Sequence, residues 1–355
     1  MSQGARMPAA RRSRVRDWRV WFGIAVTAGS LWLVLRDVPF SEVVRAIARA
    51  RWGILLVISV PSYLLVQYLR ALRWRYLTDP IRSLSTGPLF RAVSVGFMAN
   101  NVFPLRMGEV VRAWYLARET GVSIAAVFAT VVLERVIDTL MVVVLAMGVV
   151  MAGKAGNDGF LEVYALLLLP LAVLPFAGLG LLRFAPEPFL RVAELTLRPF
   201  PERVSATVLG WLRRFQEGLG ALRGGVHLLW ILLYSLVIWL VASTLPVIAG
   251  FLALGIEFPT RLEEIAAAWA MLAAIGVAVA VPSTPGFVGP FHLAAKIALQ
   301  RYGVAPETAV ACGTVIHAVM WLTITGMGLL VLRLRRTSLE EIDQVAGGSE
   351  GGLQR

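Results

Sequence analysis

Six charged side chains stand in two tight groups inside otherwise apolar sequence. They are Arg106, Glu109, Arg112, Glu134, Arg135 and Asp138. Within each group the spacing is one to four residues, so helical structure would place several of them on one face. Arginine binds phosphate and carboxylate groups bidentately, and a carboxylate can orient an arginine or carry a proton. The pattern therefore predicts either a site for an anion, with Glu109, Glu134 or Asp138 as proton carriers, or an ion cluster that only fixes the fold.

The elements that hold these charges are apolar enough to lie in a membrane. Of the 355 residues 58% are hydrophobic and 16% are charged, with a mean hydropathy of +0.73. Six stretches contain no Asp, Glu, Lys or Arg: 20–35, 52–69, 163–182, 226–256, 265–295 and 308–332. A bilayer is crossed by about 20 helical residues. We therefore predict an all-α polytopic membrane protein with about six spanning helices.

The net charge of +12 comes largely from arginines near the ends of these stretches. Such arginines set orientation and contact anionic lipid, and no nucleic-acid-binding motif accompanies them. We expect a basic cytoplasmic segment at 1–19, one transmembrane domain at 20–336, a cytoplasmic amphipathic segment at 184–223 and a flexible tail at 337–355. Both termini are then cytoplasmic, the protein lies in the inner (cytoplasmic) membrane, and nucleic acid is excluded as a partner.

Two apolar regions are interrupted by proline and glycine, at NNVFPLRMGE (100–109) and VPSTPGFVGP (281–290). Proline disfavours helix before it, and glycine permits a turn. We expect Asn100, Asn101, Ser283 and Thr284 to satisfy backbone groups freed at the breaks or to contact a headgroup. The candidate substrate site also includes Gly286, which permits the second turn. Helices that restart after a break present N–H groups that favour an anion.

The two broken regions share an order of features. Gly108 precedes the Gly121-Val122 turn by 13 residues, and Gly289 precedes Gly303-Val304 by 14. Arg135 and His317 each follow their turn by 14 residues. We interpret 86–152 and 265–333 as inverted repeats, each with a re-entrant helical hairpin. Discontinuous helices in inverted repeats are typical of secondary transporters.

Two histidines in the second half are weaker candidates for the site. His317 corresponds to Arg135 in the repeat, and His292 follows the second break. Both could contact substrate, although a lone buried histidine is more often structural. The single cysteine, Cys312, rules out an intrachain disulfide, and no spacing of cysteine and histidine predicts a metal. We predict no cofactor.

Three motifs resemble the flippase-like transmembrane family, the membrane region of lysylphosphatidylglycerol synthases. They are NNVFPLRMGEVVRAWYL, VVLERVIDTL and VPSTPGFVGPFH. The third departs from the family pattern, because Phe287 replaces the second glycine of a PGG sequence and His292 falls near an acidic position. The aminoacyl-transfer domain of the bifunctional relatives is not expected after Arg336. The resemblance therefore implies handling or translocation of a lipid rather than lysine transfer.

Three functions remain open at this stage. The first is a transporter that moves a lipid with an anionic headgroup between leaflets, without ATP because no Walker motif is present. The second is a membrane enzyme acting on a lipid-linked substrate, and the third is a partner subunit of an envelope-biogenesis enzyme. We predict no catalytic residue, and the pattern does not indicate an oligomeric state.

Overall fold

The computed structural model describes residues 18–103, 106–152, 177, 181, 185–202, 205, 206, 208–210, 212, 213, 225–280 and 283–346. These residues form helices and connecting turns, with no strand among them. The helices are α1 (Trp18–Leu35), α2 (Phe40–Arg49), α3 (Trp52–Thr78), α4 (Thr86–Val102), α5 (Gly108–Thr120), α6 (Ile124–Met151), α7 (Pro186–Leu197), α8 (Gly225–Leu236), α9 (Thr244–Leu254), α10 (Arg261–Ala278), α11 (Pro290–Gln300), α12 (Pro306–Arg335) and α13 (Leu339–Ala346). A π-helical segment, Val237–Ala242, joins α8 to α9.

The prediction of an all-α membrane protein is confirmed, but the described residues do not supply six simple spans. Three helices are long and apolar enough to cross a membrane: α3, the continuous segment Val226–Leu254, and α12. A fourth span results if α1 and α2, bent by 84°, are counted together. The expected span at 163–182 lies almost entirely outside the described residues. Helix α6 has 28 residues but carries Glu134, Arg135 and Asp138 in its middle.

The chain breaks at both predicted positions, giving two helical hairpins. Helices α4 and α5 pack against each other, as do α10 and α11. In the first hairpin a Cβ atom on Gly108 would lie 2.0 Å from the Gly96 carbonyl oxygen, so only glycine permits this approach. The Gly108 N–H donates to Asn100 Oδ1 at 2.8 Å. The prediction that Asn100 satisfies a backbone group freed at the break is confirmed.

Contacts between helix ends show how the hairpins are arranged. At one end of the molecule Arg82 donates to the Thr120 carbonyl at the end of α5, and Arg118 on α5 pairs with Glu341 on α13. The backbone N–H of Arg51, at the start of α3, donates to the Ala253 carbonyl at the end of α9. Since α3 runs between these contacts, they mark opposite ends of the molecule.

The 30-residue helix α12 contacts both hairpins. Thr325 accepts a hydrogen bond from Asn101 Nδ2 at 3.0 Å, and Trp321 Nε1 donates to the Asn101 carbonyl at 3.4 Å. His317 Nε2 donates to the carbonyl of Gly286 at 2.7 Å. Helix α12 is therefore hydrogen-bonded to residues at both breaks.

The segment after residue 336 was expected to be a flexible tail, but residues 339–346 form helix α13. Ser338 and Glu341 begin it with reciprocal hydrogen bonds: the Glu341 N–H donates to Ser338 Oγ, which also bonds Glu341 Oε1. Ile342 and Val345 are buried in the core that includes α5. The S-x-x-E capping pattern and these apolar contacts account for the helix.

Candidate functional site

A buried ion cluster joins α3, α5 and α6. Arg112 on α5 forms two hydrogen bonds with Glu134, both 2.9 Å long. Arg73 on α3 lies 2.8 Å from Asp138 and 3.3 Å from Glu134. Arg73 and Glu134 are both fully buried. The contacts of 2.8 and 2.9 Å are strong charge-assisted hydrogen bonds, whereas the 3.3 Å approach of Arg73 to Glu134 is an ion pair without a hydrogen bond.

Two further arginines complete this ion cluster. Arg70 lies 2.9 Å from Asp138 and 3.7 Å from Glu134. Arg135 lies 2.8 Å from Glu134 and 2.9 Å from Asp138. Because these contacts link four arginines to two carboxylates, the ion cluster is Arg70, Arg73, Arg112, Arg135, Glu134 and Asp138.

The π-helical segment contributes to the same cluster. Trp239 Nε1 donates to Asp138 Oδ1 at 3.1 Å, and Ser235 Oγ accepts from Arg73 at 2.9 Å. A π-helical turn inserts an extra residue into a helix and is frequent at functional sites. Here it places Trp239 against the carboxylate while Ser235, one turn earlier, reaches the arginine.

The ion cluster carries an excess of positive charge. Its four arginines and two carboxylates sum to two positive charges, and the neighbouring pair of Arg106 and Glu109, 3.5 Å apart, adds none. Burial of unbalanced charge is costly. The excess of two charges within the described residues therefore favours an anion at the exposed edge of the cluster.

Two cavities meet at that edge. One, of about 220 Å³, is lined on its polar side by Gln67, Arg70, Asn100, Asn101, Arg106, Arg135 and Ser243. Its other wall is apolar and includes Val247, Leu272, Phe291, Ile316 and Met320. The second, of about 240 Å³, is lined by Arg106, Glu109, Arg135, Asp138 and Thr139 together with apolar residues of α6 and α10. Arg106 and Arg135 belong to both cavities.

Arg106, in the first break, contacts Phe287 in the second. The Arg106 guanidinium carbon lies 5.9 Å from the centroid of the Phe287 ring, within range of a cation–π contact. Both residues have left-handed backbone, with φ of 56° and 59°, which is uncommon for residues other than glycine. The two breaks are thus held together at the wall of the 220 Å³ cavity.

The remaining polar residues of the second break serve the packing of helices. Thr284 bonds Thr27 of α1 through both its hydroxyl, at 2.9 Å, and its N–H, at 3.2 Å. His292 Nδ1 accepts from the Gly289 N–H at 3.4 Å, and its ring lies 5.0 Å from that of His317. Lys296 donates to the carbonyls of Leu33 and Val34 at the end of α1.

The sequence pattern of the lysylphosphatidylglycerol synthase TM region matches residues 20–328. This chain belongs to that family. The predicted resemblance is therefore confirmed, and the family together with the apolar helices identifies an integral membrane protein.

Curated relatives of this member of the lysylphosphatidylglycerol synthase TM region family include one archaeal protein named as an enzyme. Glycosyltransferase AglD of Haloferax volcanii is 27% identical over 329 residues, which cover 84% of this chain and 51% of AglD. The chain therefore spans about half the length of AglD. Two UPF0104 membrane proteins are each 24% identical: that of Methanothermobacter thermautotrophicus over 80% of this chain and 86% of its own, and that of Pyrococcus horikoshii over 79% and 87%.

The structure of this family member brings some of the predicted site residues to the cavities. Asn100, Asn101, Arg106, Glu109, Arg135 and Asp138 line one or both. Arg112 was predicted to bind substrate, but it lines neither and instead lies 3.7 Å from the centroid of Trp74 while pairing with Glu134. Ser283, Thr284, Gly286, His292 and His317 also lie outside the two linings, although Phe287 and Phe291 beside them are included.

Sequence reasoning missed three residues on α3, which are Gln67, Arg70 and Arg73. The two arginines follow the predicted stretch 52–69 and were counted among the arginines at stretch ends that set orientation, but α3 continues to Thr78 and buries both. Their spacing of three residues places them on one helix face. Glu134 and Asp138, four residues apart, also share one face of α6. Two arginines on one helix face and two carboxylates on another were a signal that α3 packs against α6.

Among the described residues no group of three His, Cys, Asp or Glu side chains is placed to hold a metal ion.

Proposed function

We propose that this protein moves a lipid with an anionic headgroup between bilayer leaflets. The headgroup passes through the cavities between two hairpins, α4–α5 and α10–α11, which enter the membrane from opposite faces as inverted repeats. The observation that carries the proposal is the buried excess of two positive charges beside a cavity whose other wall is apolar. A phosphate would contact Arg106 and Arg135, while the apolar wall would accommodate the start of the acyl chains.

The lengths and end contacts of the helices support the hairpin arrangement. Helix α11 has 11 residues, or about 17 Å at 1.5 Å per residue, which is shorter than the hydrocarbon core of about 30 Å. The open end of α4–α5 lies with Thr120 and Arg82. The open end of α10–α11 lies at the start of α12, whereas the end of α12 leads to α13 beside Arg118. These contacts favour entry from opposite faces.

Charge at the helix ends supports an orientation with both termini in the cytoplasm. Arg75, Arg82, Arg91, Arg118 and Arg333 lie at the end shared by α3, α5 and α13. By the positive-inside rule this end faces the cytoplasm. Fusions of a reporter to each terminus test this arrangement, with one reporter active only in the cytoplasm and another active only outside it. Activity of the external reporter at either terminus would contradict it.

Leaflet exchange in proteoliposomes tests the proposed activity. Acyl-labelled phospholipids with anionic or zwitterionic headgroups are reconstituted with the wild-type protein, and outer-leaflet label is reduced chemically. We expect exchange of the anionic lipids above protein-free vesicles. Arg106→Ala should slow it by at least about tenfold, since a hydrogen bond to a charged group contributes about 1.5–3 kcal/mol.

Arg45→Ala is the matched control for this experiment. Arg45 is exposed on α2 and pairs with Glu42 there, so its loss should leave exchange unchanged. Exchange no faster than in empty vesicles for every anionic lipid would overturn the proposal. An equal loss of lipid exchange in Arg45→Ala and Arg106→Ala would overturn the proposal that the lipid headgroup passes through these cavities.

A second candidate function follows from the likeness to AglD, whose printed name is that of a glycosyltransferase. A membrane enzyme, or the partner subunit of an envelope enzyme, would hold a lipid-linked substrate in the same cavities. Mass spectrometry after incubation with a lipid phosphate and nucleotide sugars tests this alternative. A new glycolipid product that disappears in Arg135→Ala would favour it over transport.

A further inference from the structure

Glu109 is held much less firmly than the two carboxylates of the ion cluster. Its side chain is 23% exposed, and within the described part of the chain it pairs with Arg106, at 3.5 Å. Glu134 and Asp138 are both buried, and each is bound by several arginines at 2.8–2.9 Å. Glu109 is therefore the carboxylate beside the cavities that can lose its charge without disturbing the ion cluster.

Glu109 also occupies the place that a bound anion would take. It lies in the first turn of α5, where the N-terminus of a helix favours negative charge. Its partner Arg106 lines both cavities. An anion bound to Arg106 would lie about 6 Å from the Glu109 carboxylate, and two negative charges at that separation weaken binding about a hundredfold at an effective dielectric constant of about 20. Removal of the charge on Glu109 therefore favours binding of the anion.

The other charged groups that face Glu109 already have partners. Across the 240 Å³ cavity lie Arg135 and Asp138 of α6, which pair with each other at 2.9 Å. The residues that α10 adds to this lining are uncharged, and α4 adds none. Helix α13 packs on the far end of α5, where its Glu341 pairs with Arg118. In the described lining, Glu109 is thus the carboxylate whose charge an anion at the break would meet.

We propose that Glu109 takes up one proton when an anionic headgroup binds Arg106, and that proton and lipid cross the membrane together. This inference rests on the proposed lipid transport and names what drives it at the same site. By linkage, the proton and the anion each strengthen the binding of the other. The proton comes from water at the face where the lipid enters and returns to water where it leaves. Movement of a singly charged lipid is then electrically neutral.

The experiment measures net movement of a lipid under a pH difference. Acyl-labelled phosphatidylglycerol, which carries one negative charge, is a minor component of phosphatidylcholine vesicles that contain the wild-type protein. With the outside more acidic by one pH unit, we expect about tenfold accumulation in the inner leaflet, because one proton accompanies each lipid and one pH unit is a tenfold difference in proton concentration. A potassium diffusion potential at equal pH should produce no accumulation, because no net charge moves. Protein-free vesicles give the background.

Glu109→Gln should reverse both responses. Its amide carries no charge at any pH, so the variant binds the lipid without a proton and moves it as an anion. Accumulation should then follow an inside-positive potential and ignore the pH difference. At equal pH on both sides, exchange by the wild type should slow as the pH rises, and Glu109→Gln should be the faster of the two at alkaline pH. Damage to the fold would not produce that gain.

Glu119→Gln is the matched control. Glu119 lies on the same helix α5 and pairs with Arg91, and it lines neither cavity. This variant should therefore accumulate the lipid under a pH difference as the wild type does. The measurements on wild-type protein test the coupling without any variant.

The outcomes separate the coupling from the transport on which it rests. Exchange by the wild type at equal pH, with no accumulation under the pH difference, would overturn the coupling and leave transport in place. Accumulation under the pH difference that persists in Glu109→Gln would overturn the role of Glu109. Absence of exchange under every condition would count against transport itself, and the coupling would fall with it.

Discussion

Arg106 and Phe287 contact each other across the two breaks, with the guanidinium carbon 5.9 Å from the ring centroid. Both have left-handed backbone, a conformation that costs side chains with a Cβ atom about 1–2 kcal/mol. In the family pattern that the third motif resembles, the position of Phe287 is a glycine. Phenylalanine therefore occupies a backbone suited to glycine, and its ring is placed against the arginine that lines both cavities.

A double-mutant cycle measures this contact. Arg106→Ala and Phe287→Leu each remove one partner, and we expect a coupling energy of about 0.5–2 kcal/mol in the free energy of unfolding. Thermal and denaturant unfolding of the two single variants and the double variant provide the measurement. Strictly additive effects would show that the ring and the guanidinium do not interact.

Substitutions of Arg112 and Arg106 should have different effects, the first mainly on stability and the second mainly on lipid exchange. Arg112→Lys removes the bidentate contact with Glu134 and the stacking on Trp74, so unfolding should become easier by about 2 kcal/mol. The exchange rate per folded molecule should change little, since Arg112 lines neither cavity. Arg106→Ala should instead slow the exchange of folded protein strongly, with a loss of stability no larger than its coupling to Phe287. A loss of exchange in fully folded Arg112→Lys would place that side chain on the substrate path.

Glu134 and Glu109 should differ in their importance to the fold. Glu134→Gln leaves the buried Arg112 without a carboxylate partner, and we expect a loss of about 3–5 kcal/mol in the free energy of unfolding. Glu109 lies at the cavity, 3.5 Å from Arg106, and Glu109→Gln should cost at most about 1 kcal/mol. Urea or thermal unfolding in the same detergent compares the two. Similar stability of both variants would argue against a structural role for the ion cluster.

Gly108 is expected to tolerate no side chain. A Cβ atom there would meet the Gly96 carbonyl at 2.0 Å and Asn100 Oδ1 at 2.5 Å, so Gly108→Ala should destabilise the protein by about 3 kcal/mol. Gly53→Ala is the control, because nothing lies within 4 Å of a Cβ atom at that position. It should be neutral or stabilise α3 by up to about 1 kcal/mol. Equal unfolding temperatures of the two variants would contradict the close packing of α4 on α5.

The attachment of α13 should weaken in acid. The side-chain hydrogen bond from Arg118 lowers the pKa of Glu341. A carboxyl group whose pKa is lowered by folding contributes stability above its unfolded pKa and loses that contribution as the pH falls through its folded pKa. Wild type should therefore be more stable than Glu341→Gln at pH 7, and the difference should shrink as the pH falls below the ordinary glutamate pKa of about 4.3. A difference independent of pH would exclude this ion pair as its source.

Hydrophobic runs and breaks in the sequence predicted the helical class and the positions of both hairpins, because proline and glycine act on the local backbone. Asn100, Arg106 and Arg135, which were predicted as site residues because they lie at a break or within an apolar helix, line the 220 Å³ cavity. The site residues Gln67, Arg70 and Arg73 were missed. Tertiary packing extends α3 past Leu69, and a basic run at the end of an apolar stretch is normally attributed to the membrane surface.

The tail was misjudged for a different reason. Its polar composition suggested flexibility, whereas Ser338 and Glu341 form a cap and Ile342 and Val345 find an apolar surface on the rest of the protein. The cap was visible in the sequence as S-x-x-E. The apolar surface was not, because it exists only after α5 and α12 have packed.

Helix α12 is hydrogen-bonded to Asn101 beside one break and to Gly286 in the other. Both breaks are therefore attached to the same helix. A tilt of this helix would displace both hairpin tips together, whereas sliding one tip alone would break its bond to Thr325 or His317. A single helix of about 45 Å, the length of 30 helical residues, therefore connects the two breaks, and the transport proposed above would require both to move with it.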